Sequence, residues 1–334
     1  MKDRRLVLLG IVLCTLVLEV ASRTIAADLS YRGGPLALDE LGQALEAWPR
    51  PPVAVFLGAS HTQCAIVPAA MAPVLDVAQE VLVNAGRNNG GPRESLSLYR
   101  RARAALKPAR VLVVEVSDRD FNRNLAAAER APAAWRRRAA LLDRLAVPVD
   151  FETRTDLLLG WALASWDLRG TWRELVALGW RAGLRHFGVG ARPVLFEADG
   201  RALVPEERVP MTKALLAYDA ERAARRHLQQ FELDEEAFAS LDTLVSTIQN
   251  SGPFVVFVEY PVSAAYRHIV QERYKAEDEL WRRELARRFP EKPLWTFETP
   301  LAPESFRDSD HLSRQGAVEF SRRLAERLRS VVVR

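Results

Sequence analysis

Between Arg110 and Val116 the chain reads RVLVVEV, and from Phe254 to Glu259 it reads FVVFVE. Neither run alternates apolar with polar residues, and both are rich in β-branched side chains. A strand with one wet face alternates. A strand that is apolar throughout is covered on both faces, as in parallel sheets flanked by helices. Three further short runs, Val53–Leu57, Glu80–Val83 and Leu294–Phe297, also look like strands. Helical stretches separate them: Glu94–Leu106, Asp234–Gln249, Ala264–Phe289 and a C-terminal amphipathic segment with Leu324 and Leu328 on its inner face. This alternation predicts an α/β fold, a three-layer α/β/α arrangement around a mostly parallel five-stranded sheet.

With 334 residues, 49% of them hydrophobic, the chain can bury one large core or two modest ones, and nothing in it reads as disordered. The N-terminus stands apart. A basic flank, Met1 to Arg5, precedes LVLLGIVLCTLVLEVAS, Leu6 to Ser22. Positive charge before an apolar run places the N-terminus in the cytoplasm and sends the body across the membrane. Val20-Ala21-Ser22 and Thr24-Ile25-Ala26 are passable cleavage sites, but the length of the run favours a retained anchor. We therefore expect a signal-anchor segment over 1–27, a linker over 28–52 and an α/β domain over 53–334. That domain is interrupted at about 122–250 by a helical insertion containing Trp161, Trp166, Trp172 and Trp180. A small hairpin is expected around Gly200.

The formal net charge is only +4 and the arginines are spread along the chain, so a nucleic-acid partner is not expected. Cys14 and Cys64 do not suggest a bridge. None of His61, His186, His227 and His268 pairs with Cys or Asp at metal-ligand spacing, and no phosphate-binding or dinucleotide fingerprint is present. Neither metal nor cofactor is expected.

The polar segments gather after the strands: Gly58-Ala59-Ser60 after the first, Asn84-Ala85-Gly86 after the second, and Ser117-Asp118-Arg119-Asp120 after the third. In an open parallel sheet these carboxyl ends share one edge, where ligands bind. A fourth segment, FRDSDHLSRQGAVEF, places Asp308 three residues before His311, just ahead of the last helix. An Asp at that spacing can fix one ring nitrogen and leave the other free to take a proton from a serine.

With these parts the chain resembles the SGNH/GDSL-type hydrolases, and in particular their membrane-anchored, polysaccharide O-acetyltransferase-like branch. FLGASHT resembles the serine block, with Ala59 where many members carry Asp. NAGRNNGG resembles the second block, DSDHLSRQGA the terminal one, and FVVFVEYPVS the penultimate strand. The resemblance implies a flavodoxin-like sheet, Ser60 as nucleophile, His311 as base and Asp308 as its orienting partner. It also implies an oxyanion site made by the N–H groups of Ser60 and Gly86. The third block departs, reading EVSDRD where an Asn is usual; Ser117 stands nearest, and Asn88 or Asn124 could substitute. The activity implied is an esterase or O-acyltransferase on ester groups of a cell-envelope polysaccharide, with a membrane partner delivering the acyl group. The alternative is a non-catalytic envelope module.

Other readings stay open at this point. Ser60 could be a turn residue, Gly86 a turn glycine and His311 a surface histidine. Asp310 could orient His311 in place of Asp308. Glu115 is expected to point outward at its strand's end, and His61 is expected to be incidental.

Overall fold

Five strands, β1 (Ala54–Gly58), β2 (Leu82–Gly86), β3 (Val111–Glu115), β4 (Phe254–Val258) and β5 (Leu294–Trp295), form one sheet in the order β2-β1-β3-β4-β5. Every neighbouring pair is parallel, so the α/β expectation holds and the sheet is parallel throughout. The order reverses direction between β1 and β3. In such open parallel sheets ligands bind outside the carboxyl ends at that switch point.

A computed structural model of the chain describes residues 13–20, 22, 44–46, 48, 50–87, 90–125, 200, 213–249, 252–297, 299 and 301–332. Those from 44 onward belong to one unit, made of Leu41–Ala131 and Val194–Arg334. Residues 13–20 and 22 belong to a second, made of Met1–Glu40 and Pro132–Pro193. The four tryptophans expected in the insertion, and all of the hairpin around Gly200 except that glycine, lie outside the described residues.

In the sheet unit the helices are α1 (Ser60–Ala65), α2 (Pro68–Leu75), α3 (Pro92–Arg101), α4 (Arg103–Leu106), α5 (Lys213–Leu228), α6 (Glu235–Gln249), α7 (Ala264–Arg273), α8 (Lys275–Arg288) and α9 (Arg314–Val332). Side chains alternate across a strand, and both sets are buried here. Phe56, Val113 and Val256 pack with Met71 and Leu75 of α2 and with Phe320, Leu324 and Leu328 of α9. On the other face Leu57, Val114 and Phe257 are equally buried, beneath α3 and α6. Phe257 meets Phe289 edge-on at 5.1 Å, and Phe121 stacks on Phe238 at 4.1 Å. This double cover explains the uninterrupted apolar runs.

Several boundaries differ from expectation. The second strand starts at Leu82, because Gln79–Val81 form a 3-10 turn, and it runs on through Asn84 to Gly86. Asn84 is tolerated in a buried strand because its amide donates to the carbonyls of Thr62, Gln63 and Ile66. The helix expected over Ala264–Phe289 breaks at Tyr274 into α7 and α8. The stretch expected as an insertion, about 122–250, lies partly outside the described residues. Its last part, α5 and α6, is built into the sheet unit, with α6 on α3 and α5 on α7.

Residues 13–20 are helical, with Leu13, Leu16, Val17 and Val20 exposed. Among the described residues no helix is long and apolar enough to cross a membrane, and most of the expected anchor lies outside them. Cys14 and Cys64 are both free.

Candidate active site

The segment before α9 folds back on itself. Phe306 and Leu312 form an antiparallel bridge, Arg307 N–H donates to the His311 carbonyl at 3.0 Å, and Ser313 N–H donates to the Ser305 carbonyl at 2.8 Å. Gly316 lets α9 press against this loop, since a Cβ there would lie 2.1 Å from the Ser305 oxygen. Within the turn, Asp308 Oδ1 accepts the N–H groups of Asp310 (3.2 Å) and His311 (2.7 Å). Asp residues favour this kind of local side-chain turn. The same oxygen lies 2.9 Å from His311 Nδ1. The other ring nitrogen, Nε2, lies 2.8 Å from Ser60 Oγ. Two residues 251 positions apart therefore meet at the carboxyl end of β1.

Ser60 opens α1, and the residue before it, Ala59, has no side chain with which to cap that helix. Glu115, at the end of β3, caps it from outside. Its Oε2 accepts from Ala59 N–H (2.6 Å), Thr62 N–H (3.0 Å) and Thr62 Oγ (2.7 Å). Gly58 is required by this contact, because a Cβ there would fall 2.4 Å from Glu115 Oε2. The expectation that Glu115 points outward is thus wrong: it is 3% exposed. Three donors at a helix start outbid solvent for the carboxylate. The readable signal was a lone carboxylate ending an apolar strand, beside a helix start that lacked its own cap.

His61, expected to be incidental, is also part of the site. Its Nδ1 lies 3.0 Å from Glu115 Oε1, and its Nε2 lies 3.5 Å from Asp310 Oδ2, an ion-pair distance rather than a good hydrogen bond. Asp310 Oδ1 lies 3.2 Å from His311 Nδ1, so both carboxylates weighed at the sequence level face that nitrogen, with Asp308 the nearer. The two imidazole centroids are 5.0 Å apart.

Burial disfavours the charged form of each ring, yet the carboxylates outweigh it. Asp310 and Asp308 push His311 up to about 10. Asp310 and Glu115 raise His61 to about 9. In return, Asp310 is held well below the usual carboxylate range, and Glu115 is lowered too, against burial in both cases. The carboxylates thus favour the charged form of both rings.

The expected oxyanion donors separate. Ser60 N–H sits in the first turn of α1, where the helix offers it no acceptor. Gly86 N–H is committed to Asn84 Oδ1 at 3.0 Å, and Ser117 Oγ donates to Asp120 Oδ2 at 2.8 Å. Both expected donors therefore already have an acceptor. Asn124 donates its amide to the Gln230 carbonyl, and Asn88 lies outside the described residues.

A cavity of about 290 Å³ lies beyond His61 and Asp310, lined also by Ser117, His227, Tyr260 and Arg282. Among the described residues, His61, Asp310 and His311 could offer ligand atoms to one metal ion, all within 4.8 Å of one another. Asp310 already pairs with a ring nitrogen of each histidine. No protein-family model matches the chain, and no curated protein matches it.

Proposed function

We propose that the protein is a serine esterase or O-acyltransferase, tethered to the membrane and acting outside the cytoplasm on ester groups of a cell-envelope polysaccharide. The observation that carries this reading is the 2.8 Å approach of Ser60 Oγ to a His311 ring whose far nitrogen is held by Asp308. That is the geometry of an activated hydroxyl nucleophile. The resemblance to the SGNH/GDSL-type hydrolases supports the polysaccharide as substrate. The exposed apolar residues of the helix at 13–20 support the tether.

In this mechanism Ser60 Oγ attacks the acyl carbonyl while its proton passes to His311 Nε2. The Ser60 N–H receives the developing oxyanion. The tetrahedral intermediate expels the alcohol, which takes the proton back from Nε2, and leaves an acyl-serine. Water or a sugar hydroxyl then gives its proton to Nε2 and attacks the acyl carbon, and Ser60 leaves as the free hydroxyl. Asp308 keeps Nδ1 protonated throughout and stabilises the imidazolium. An acyltransferase of this kind takes its acyl group from a membrane partner.

A small fluorophosphonate tests the nucleophile. Wild type should be labelled on Ser60 and Ser60→Ala should not. A second reading, a non-catalytic envelope module, draws on the committed Gly86 and Ser117 donors, since one missing oxyanion donor costs about 10²–10³ in rate. Equal absence of label in both proteins would favour it. Labelling with equal intensity in both would refute Ser60. Water or an oligosaccharide, offered as acceptors for an activated acetyl ester, separates the esterase from the transferase.

The rate should also depend on pH in a definite sense. Below its pKa of about 10, His311 carries both ring protons and cannot take one from Ser60. The labelling rate should therefore climb from pH 6 towards about 10, by up to roughly tenfold per unit well below that value. A rate flat across pH 6–9 would remove His311 from the role of base.

A further inference from the structure

One buried group has no part in the proton transfers just described. His61 follows the nucleophile directly in sequence but turns away from it, and stands between Glu115 at 3.0 Å and Asp310 at 3.5 Å. It is 6% exposed. Asp310 in turn faces His311 Nδ1 from the side opposite its His61 contact, one carboxylate oxygen to each ring. The chain of charges therefore runs Glu115, His61, Asp310, His311, with Asp308 closing it.

We infer that His61, held as a cation between Glu115 and Asp310, is a positioning residue that divides the charge of Asp310 between two imidazoles and so sets how readily His311 takes the proton of Ser60. The inference rests on the serine-nucleophile reading. A base flanked by two uncompensated carboxylates would hold its second proton more tightly still than His311 does. A cation on the far side of Asp310 draws off part of that charge and also repels a proton on His311. Glu115 keeps His61 charged while its other oxygen fixes the start of α1.

Other charged and titratable groups face this chain. After β3 stand Arg119 and Asp120, the latter raised by burial and by Glu115 to about 8. From α5 comes His227, lowered by burial to about 3 and hence neutral, and Asp219, whose Oδ2 accepts Ser309 N–H at 3.0 Å. Tyr260 follows β4 and is kept protonated by burial. Arg307 belongs to the loop itself, 3.5 Å from Asp308. Asp120 is raised into the range of the titration, so its Asp120→Asn variant is the control background.

The experiment is a titration of the five histidines by NMR in wild type, His61→Gln and Asp310→Asn, alongside the pH dependence of fluorophosphonate labelling. Losing the His61 cation should move the His311 titration and the acid limb of the labelling profile upward by about one to two pH units. Losing the Asp310 carboxylate should move both downward. A merely structural role would lower the rate without moving the limb in opposite senses. If His61→Gln leaves His311 within a few tenths of wild type, or lowers it, the inference is overturned. If His61→Gln does not fold, wild type still decides, because a His61 that is neutral at pH 7 also overturns it. NMR reads both rings whether or not Ser60 reacts, so failure of the serine reading shows separately, as unlabelled wild type with an intact His61 effect on His311.

Discussion

A His311→Gln protein should fold normally and lose the reactivity of Ser60 by on the order of 10⁴-fold, measured as the second-order rate of labelling by a small fluorophosphonate at pH 8. The size of the loss follows from the geometry. Among the described residues Ser60 Oγ has one base within reach, His311 Nε2 at 2.8 Å, and it lies at the buried start of α1, 5% exposed. The neighbouring His61 cannot take over, because both of its nitrogens face carboxylates. Glutamine is close to imidazole in size and keeps a polar atom near Asp308, so the fold should survive and circular dichroism should be unchanged. A loss smaller than tenfold would mean that Ser60, if it reacts at all, is activated by some other group.

How much of this was legible beforehand depended on whether a residue's role is local. The parallel sheet was readable because double burial writes itself into consecutive side chains, as in Val111–Val114. Ser60, Asp308 and His311 were readable because each follows a strand or precedes a helix with turn-forming neighbours, and the Asp308 turn is a matter of three consecutive residues. Glu115 and His61 were not. Their roles are set by partners 54 positions apart in sequence, which no local pattern records. The partners of Gly86 and Ser117 were hidden for a related reason. A backbone N–H or a hydroxyl looks available in a sequence, but Asn84 and Asp120 occupy them in space. Gly86 lies against the serine's helix, where a Cβ would fall 2.4 Å from Gln63 N, yet its donor already has an acceptor.

Glu115 is where stability and the site are joined, and removing its carboxylate should be expensive. Glu115→Ala strands three donors, Ala59 N–H, Thr62 N–H and Thr62 Oγ, together with a buried His61 that would have lost one of its two counter-charges. Breaking one partner of a buried ionic network costs about 3–5 kcal/mol. In a unit of this size that corresponds to a fall in Tm on the order of 10 °C. Glu115→Gln keeps an oxygen for the helix start and loses only the charge, so it should fall between Ala and wild type. The deficit should itself depend on pH. Glu115 has a lowered pKa, so its contribution is complete above its ordinary 4.5 and drains away as acid titrates the folded carboxylate. His61 has a raised one, so its share is complete below 6.5 and is lost as pH rises through about 9. The gap between wild type and Glu115→Ala should therefore be widest near pH 5–6.5 and narrower at either extreme, which thermal denaturation across that range measures. A gap under about 1 kcal/mol at pH 6 would mean that α1 begins at Ser60 without help from β3. The serine would then owe its position to His311 alone.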